Sequence, residues 1–178
     1  MARYIIDTIH SDIEFKVKHL MISTVSGRFT TFDATMITDK PDFSDAKINF
    51  ECNVDSISTK ISDRDNHLKS KDFFDAENYP KISFSSTKIS KRNETYTIKG
   101  VLKIKEIEKE VILKGVYNGN DVDNFGQTKY GFELEGKINR ADYDLSFNIK
   151  GGKGSVIIGD EVRLNISIQM IKTDDDKI

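Results

Sequence analysis

Apolar residues fall on every second position along most of this chain, and that period constrains the fold more than any other feature, because a strand with one buried face produces it. Ile13, Phe15 and Val17 alternate with Glu14, Lys16 and Lys18, and Ile48, Phe50, Cys52 and Val54 alternate with Asn49, Glu51 and Asn53. The rhythm returns in Ile82, Phe84 and Ser86, in Tyr96, Ile98, Gly100, Leu102 and Ile104, in Val111, Leu113, Gly115 and Tyr117, and in Tyr130, Phe132, Leu134, Gly136 and Ile138. It is clearest where Val162, Leu164, Ile166, Ile168 and Met170 are set against Arg163, Asn165, Ser167 and Gln169. With the segment from Gly27 to Thr38, about eight strands follow one another across short polar turns, as antiparallel neighbours do. The fold class is therefore all-β. Eight strands, each with one wet and one dry face, can close into an antiparallel barrel that removes exposed edges and is wide enough to be filled by side chains or to hold one small ligand. A two-sheet sandwich is the alternative; the long strands and hairpin connections favour the barrel.

One segment breaks the meander. Between Val54 and Pro80, and so between the third and fourth strands, the alternation stops and helix-start residues gather. Ser62 or Asp63 can cap one short helix and Asp72 another, and Pro80 opens the next strand where a missing donor is tolerated. The excursion reads as a lid over one barrel mouth, with Ile57, Ile61, Leu68, Phe73, Phe74 and Tyr79 pointing down. Leu68, Phe73 and Phe74, with the polar Arg64 and His67, are the candidate lid or mouth residues. A second loop, Lys150-Gly151-Gly152-Lys153-Gly154, is flexible by composition.

By the same alternation the candidate lining residues are Phe15, Val17, Phe29, Phe32, Ile48, Phe50, Phe84, Ile98, Leu102, Leu113, Phe132, Leu134, Leu164 and Ile166, together with three inward glycines, Gly100, Gly115 and Gly136. A hairpin turn at Ile107-Glu108 sets Ile104 opposite Val111, Leu102 opposite Leu113 and Gly100 opposite Gly115. Glycines at such positions either let the strands coil or leave room for a ligand. No cluster of acids or bases lies midway along any strand, so a cavity so lined suits an aliphatic chain, held by area at roughly 0.8 kcal/mol per methylene.

Several function classes fall away. The 178 residues predict one domain, taken as 1–172 with a polar C-terminal tail at 173–178. The single Cys52 rules out an internal disulfide, and its inward register makes it a small core residue rather than a nucleophile. A net charge of -2 gives no motive for binding nucleic acid. No run of roughly 18 apolar residues marks a membrane span, and the opening residues, with Asp7 and His10, lack a secretory signal's apolar stretch, so a cytoplasmic protein is expected. Asp63-x-Asp65-x-His67 fails as a calcium loop, with Leu68 where Gly belongs and Phe74 where Glu belongs. His10, His19 and His67 lack close zinc spacing, and no nucleophile or phosphate-loop motif is present. Neither a metal, a cofactor nor a catalytic residue is expected.

These residues resemble the YceI-like, or polyisoprenoid-binding, family across essentially the whole chain. The matching motifs are Asp7-x-x-His10-Ser11-x-Ile13-x-Phe15-x-Val17-Lys18-His19, Ser26-Gly27-x-Phe29 with Phe32, and Arg64-Asp65-x-His67-Leu68-Lys69-Ser70-x-Asp72-Phe73-Phe74-Asp75. Tyr79-Pro80-x-Ile82-x-Phe84-x-Ser86-Thr87, Asn139-Arg140-x-Asp142-Tyr143-x-Leu145 and Gly159-Asp160-Glu161-Val162 continue the likeness. The resemblance implies a lipocalin-like barrel, homodimeric in many members, that takes a polyisoprenoid, an isoprenoid quinone or a fatty-acid-like lipid into an apolar tunnel. It leaves two roles open for Asp7, His10, Arg64, Asp65, His67 and Asp72: one hydrogen-bonded cluster seating the lid, or contact with a ligand's polar head, where Arg64 suits a phosphate. The function expected is non-enzymatic carriage or sequestration of a long-chain lipid. The rivals are an enzyme acting on an isoprenoid with a metal at the histidines, and a stress-related structural barrel.

Overall fold

A computed structural model describes residues 1–149, 152 and 157–173. The chain runs through β1 (Ala2–Ile6), β2 (Asp12–His19), β3 (Ser23–Phe29), β4 (Phe32–Thr38), β5 (Lys47–Asn53), β6 (Ile57–Ser58), α1 (Ser62–Lys69), β7 (Lys81–Arg92), β8 (Thr95–Ile104), β9 (Ile107–Val122), β10 (Thr128–Asn139) and β11 (Ile158–Thr173). Every pairing is antiparallel, and the sheet closes because β11 pairs with β10 on one side and with both β1 and β2 on the other. Arg3 to Ile6 face Thr173 to Met170, and Asp12 to Val17 face Ser167 to Val162. Thus β1 and β2 are two lengths of one barrel stave, broken by a 3-10 turn at Thr8–His10.

Two further staves are broken in the same way. β4 takes up where β3 leaves off, the two pairing with β1 and β2, and β6 follows β5 across a 3-10 turn at Val54–Ser56. The eleven strands are therefore eight staves of a closed barrel, with α1 between the third and fourth. Local chemistry makes the breaks: the Ile9 N–H donates to Asp7 Oδ1 at 3.1 Å, and Ser56 Oγ donates to the Asn53 carbonyl at 2.7 Å. Shifts in strand register at Ser86–Lys88 and opposite Gly131–Phe132 add the local bends that closing a sheet requires.

The β8–β9 hairpin differs from the expected register. Its turn is Lys105-Glu106, with Lys105 in the left-handed region at φ 55°, so Gly100 faces Val111 and Gly115 faces Tyr96. The two glycines are not opposite one another. In the lid, α1 forms, but Ser62 and Asp63 are its first residues and its N-cap, Ile61, has no side-chain cap bond. No second helix follows Asp72; residues 70–79 fold as successive turns, with the Asp75 N–H donating to the Ser70 carbonyl at 2.9 Å. Among the described residues no helix is long and apolar enough to cross a membrane. The glycine loop at 150–154, apart from Gly152, and the tail beyond Thr173 lie outside the described residues.

One barrel end is plugged by rings. Phe43, in the loop after β4, lies within 6.0 Å of the ring centres of Tyr4, Tyr117, Tyr130 and Phe132. Beside this plug Asp7 is 8% exposed and receives Lys129 Nζ at 2.6 Å, tying the first stave to β10. Burial alone would raise the Asp7 carboxyl, but the bonds from Lys129 and His10 outweigh it and pull the group down to about 2. Its contribution to stability, about 2 kcal/mol, is full above about pH 4 and disappears as the pH falls through 2. Denaturation of Asp7→Asn against the parent should therefore show a gap of that size at pH 7 that closes near pH 2; parallel curves at both would contradict the assignment.

Candidate functional site

A cavity of about 450 Å³ runs inside the barrel from the aromatic plug to the opposite end, the mouth beneath α1. Interior burial is uneven. On β8 and β9 the inward Tyr96, Ile98, Leu102, Val111 and Leu113 are all buried, whereas on β10, β11 and β2 the inward Phe132, Leu134, Leu164, Ile166, Phe15 and Val17 keep partial exposure. Inside a closed barrel that surface belongs to the cavity, which therefore lies against the β10–β11–β2 wall.

The alternation places most candidates on the cavity lining. Phe15, Val17 and Phe29 border the cavity from the first two staves; Ile48, Phe50, Phe84, Ile98 and Leu102 from the next three; and Leu113, Gly115, Phe132, Leu134, Leu164 and Ile166 from the last three. Three candidates are set off it. Phe32 stacks on Phe50 at 6.4 Å. Gly100 lies under the Phe84 ring, where a Cβ would stand 2.3 Å from Cζ, and Gly136 lies under Leu113, where a Cβ would stand 2.5 Å from Cδ2. Gly27 and Gly115 are covered in the same way by Phe15 and Leu134. The glycines are thus seats for neighbouring large side chains. The space they leave is filled, and the cavity arises elsewhere, from the barrel's bore.

At the mouth, Leu68, Phe73, Phe74, Arg64 and His67 all border the cavity. Phe74 meets Phe29 edge-on at 6.2 Å, and the His67 ring stands edge-on to Phe73 at 5.0 Å and to Phe147 at 4.7 Å, with Nε2 2.8 Å from Asp72 Oδ2. Ile61 instead faces solvent at 52% exposure, because it sits outside the first turn of α1. The expected single polar cluster is in fact two. Asp7 and His10 are at the plugged end, while Arg64, Asp65, His67 and Asp72 are at the mouth, since the first stave spans the barrel's length.

Arg140, just past β10, is 4% exposed. Its guanidinium donates to the carbonyls of Gly159 at 2.9 Å, Phe147 at 2.9 Å and Leu145, so it binds the segment after β10 to the start of β11. Burial lowers its pKa, and Asp160 beside it opposes that. Asn139 accepts from the Ala141 N–H at 2.9 Å and caps the turn that presents Arg140.

Sequence reasoning missed Phe43, an isolated apolar residue in a polar loop, which carried no periodic signal. It also missed Leu145, Phe147 and Ile149 on the wall, although their own alternation was a usable signal. Cys52 borders the cavity at 2% exposure, and burial pushes its thiol up to about 12, which keeps it neutral. The histidines do not converge: His10 is at the plugged end and His19 and His67 at the mouth. Among the described residues no group of three or more His, Cys, Asp or Glu side chains is gathered as a metal site.

Comparison with known proteins agrees with this geometry. The family model of the YceI-like domain matches residues 4–170. A UPF0312 protein of Staphylococcus epidermidis is 37% identical over 170 residues, covering 95% of this chain and 97% of the relative. The crystal structure of Burkholderia cenocepacia BcnA superposes with a TM-score of 0.78 at 22% identity, covering 92% of this chain and 98% of that one. A polyisoprenoid binding domain from Saccharophagus degradans, implicated in plant cell wall breakdown, shares the fold with a TM-score of 0.67 at 12% identity, covering 96% and 98%.

Proposed function

We propose, since the chain belongs to the YceI-like domain family, that its barrel binds one long apolar chain of a polyisoprenoid, isoprenoid quinone or fatty-acid-like lipid and carries or sequesters it without chemical change. The observation that carries the reading is the cavity itself. Its mid-barrel wall is aliphatic and aromatic, its volume of about 450 Å³ lies within the roughly 300–1,000 Å³ of small-molecule sites, and one end is plugged. A neighbour of the same fold described as polyisoprenoid-binding supports the ligand class. About fifteen methylenes buried at about 0.8 kcal/mol each contribute about 12 kcal/mol, and an association cost of about 4 kcal/mol leaves micromolar binding with no polar contact. Two copies pair in this reading, as the family resemblance implies.

The test is a titration of delipidated protein with a fluorescent polyene fatty acid, followed by competition with unlabelled polyprenol. Saturable enhancement at micromolar concentrations, reversed by the polyprenol, is expected. An unchanged signal at one hundred times that concentration would remove the proposal.

A further inference from the structure

The charged and basic groups on the cavity wall are of one sign. Lys18, His19, Arg64, His67 and Arg140 border it, and among the described residues no Asp or Glu does. All five are at the mouth: Lys18 and His19 end β2, Arg64 and His67 lie on α1, and Arg140 follows β10. Two of them are occupied by the protein, Arg140 with backbone carbonyls and His67 with Asp72.

Arg64 is held differently. Its Nε donates to Thr59 Oγ1 at 2.7 Å and one terminal nitrogen donates to the Thr59 carbonyl at 2.9 Å. The adjacent carboxylate is turned onto the same threonine, with Asp65 Oδ1 accepting from the Thr59 N–H at 2.7 Å and its hydroxyl at 2.6 Å. A guanidinium has five N–H donors, so these bonds fix its orientation, and the other three have no partner among the described residues. Asp65 orients Arg64 through Thr59 rather than by a direct ion pair, and the ion pairs among the described residues include neither Arg64, Lys18 nor His19. A half-buried guanidinium held in this orientation at the rim of an apolar cavity matches the two oxygens of a carboxylate or phosphate, whereas a neutral head would leave its charge unanswered.

We infer that the ligand carries an acidic oxyanion head, a carboxylate or a phosphate monoester, on one end of its apolar chain, and that Arg64, on the same cavity lining as Lys18 and His19, holds that head at the mouth. This rests on the cavity reading above and deepens it, by giving the ligand a direction: head at the mouth beneath α1, tail toward the Phe43 plug.

The experiment compares three ligands of equal chain length, hexadecan-1-ol, hexadecanoate and hexadecyl phosphate, as competitors of a bound fluorescent probe at pH 7.5 and below their micelle concentrations. At least one of the two acids should bind ten times more tightly than the alcohol, and which acid wins identifies the head. Arg64→Gln should weaken that acid about tenfold and the alcohol much less, and Lys18→Gln, at an exposed site, should weaken the acid about threefold. An alcohol that binds as well as both acids would overturn the inference, as would an Arg64→Gln variant that weakens all three equally, the signature of a purely structural arginine. If none of the three displaces the probe, the cavity reading falls and the head-group assignment falls with it.

Discussion

Replacing Arg140 with Met is expected to cost about 3–5 kcal/mol, a large fraction of the roughly 5–15 kcal/mol by which a domain of this kind is stable. The side chain is buried, and its donors are the partners of carbonyls in two stretches, at Leu145 and Phe147 after β10 and at Gly159 in β11. Methionine fills the volume of the stem but offers no N–H, so these acceptors lose their bonds where water has little access. For a chain of this size the loss corresponds to a fall in Tm of about 6–20 °C. Lysine at the same position keeps a charge but places its three donors on one nitrogen, which cannot reach carbonyls spread around a planar fork, so Arg140→Lys should recover less than half of the deficit. Calorimetry of the three proteins checks this. A Met variant melting within about 2 °C of the parent would show that the guanidinium does not hold the mouth together.

The second large effect concerns binding. Ile166 lies midway along β11, paired with Leu134 on one side and Ile13 on the other, and keeps part of its surface open to the cavity. Ile166→Trp places a ring across the bore where there is space for it, so the protein should fold while a chain entering from the mouth stops short of the plug. Excluding even three or four methylenes at about 0.8 kcal/mol each weakens binding about 100-fold. Asn165→Trp is the control, since one residue along the strand the side chain points to solvent. Equal affinity in the two variants would mean that the ligand does not run through the barrel.

That parity control works because the inward set was legible in the sequence. Alternation depends only on the two-residue repeat of a strand, so Phe15, Leu134 and Ile166 fell on the correct face before any contact was known. What alternation cannot report is how neighbouring staves are aligned. The β8–β9 hairpin turned at Lys105-Glu106 rather than Ile107-Glu108, because register is set by turn geometry and by the packing of adjacent strands. The inward glycines misled for a related reason. A missing Cβ is visible in the sequence, but the Phe84 ring that fills the space over Gly100 comes from another strand. The breaks in the staves left no mark on the alternation, since the turns that Asp7 and Ser56 hold with short-range hydrogen bonds are too local to disturb the larger pattern. At the mouth, the sequence named Arg64 and Asp65 but missed the role of Thr59, which links them.

The central claim, that the barrel holds an apolar chain, is tested most directly by native mass spectrometry of the freshly purified protein, with solvent extraction of whatever is released. The account predicts a species heavier than the bare chain by one discrete lipid mass, shed on mild activation and recovered in the organic phase. A protein that flies only at its bare mass, and remains so after incubation with polyprenols and long-chain acids, would contradict it.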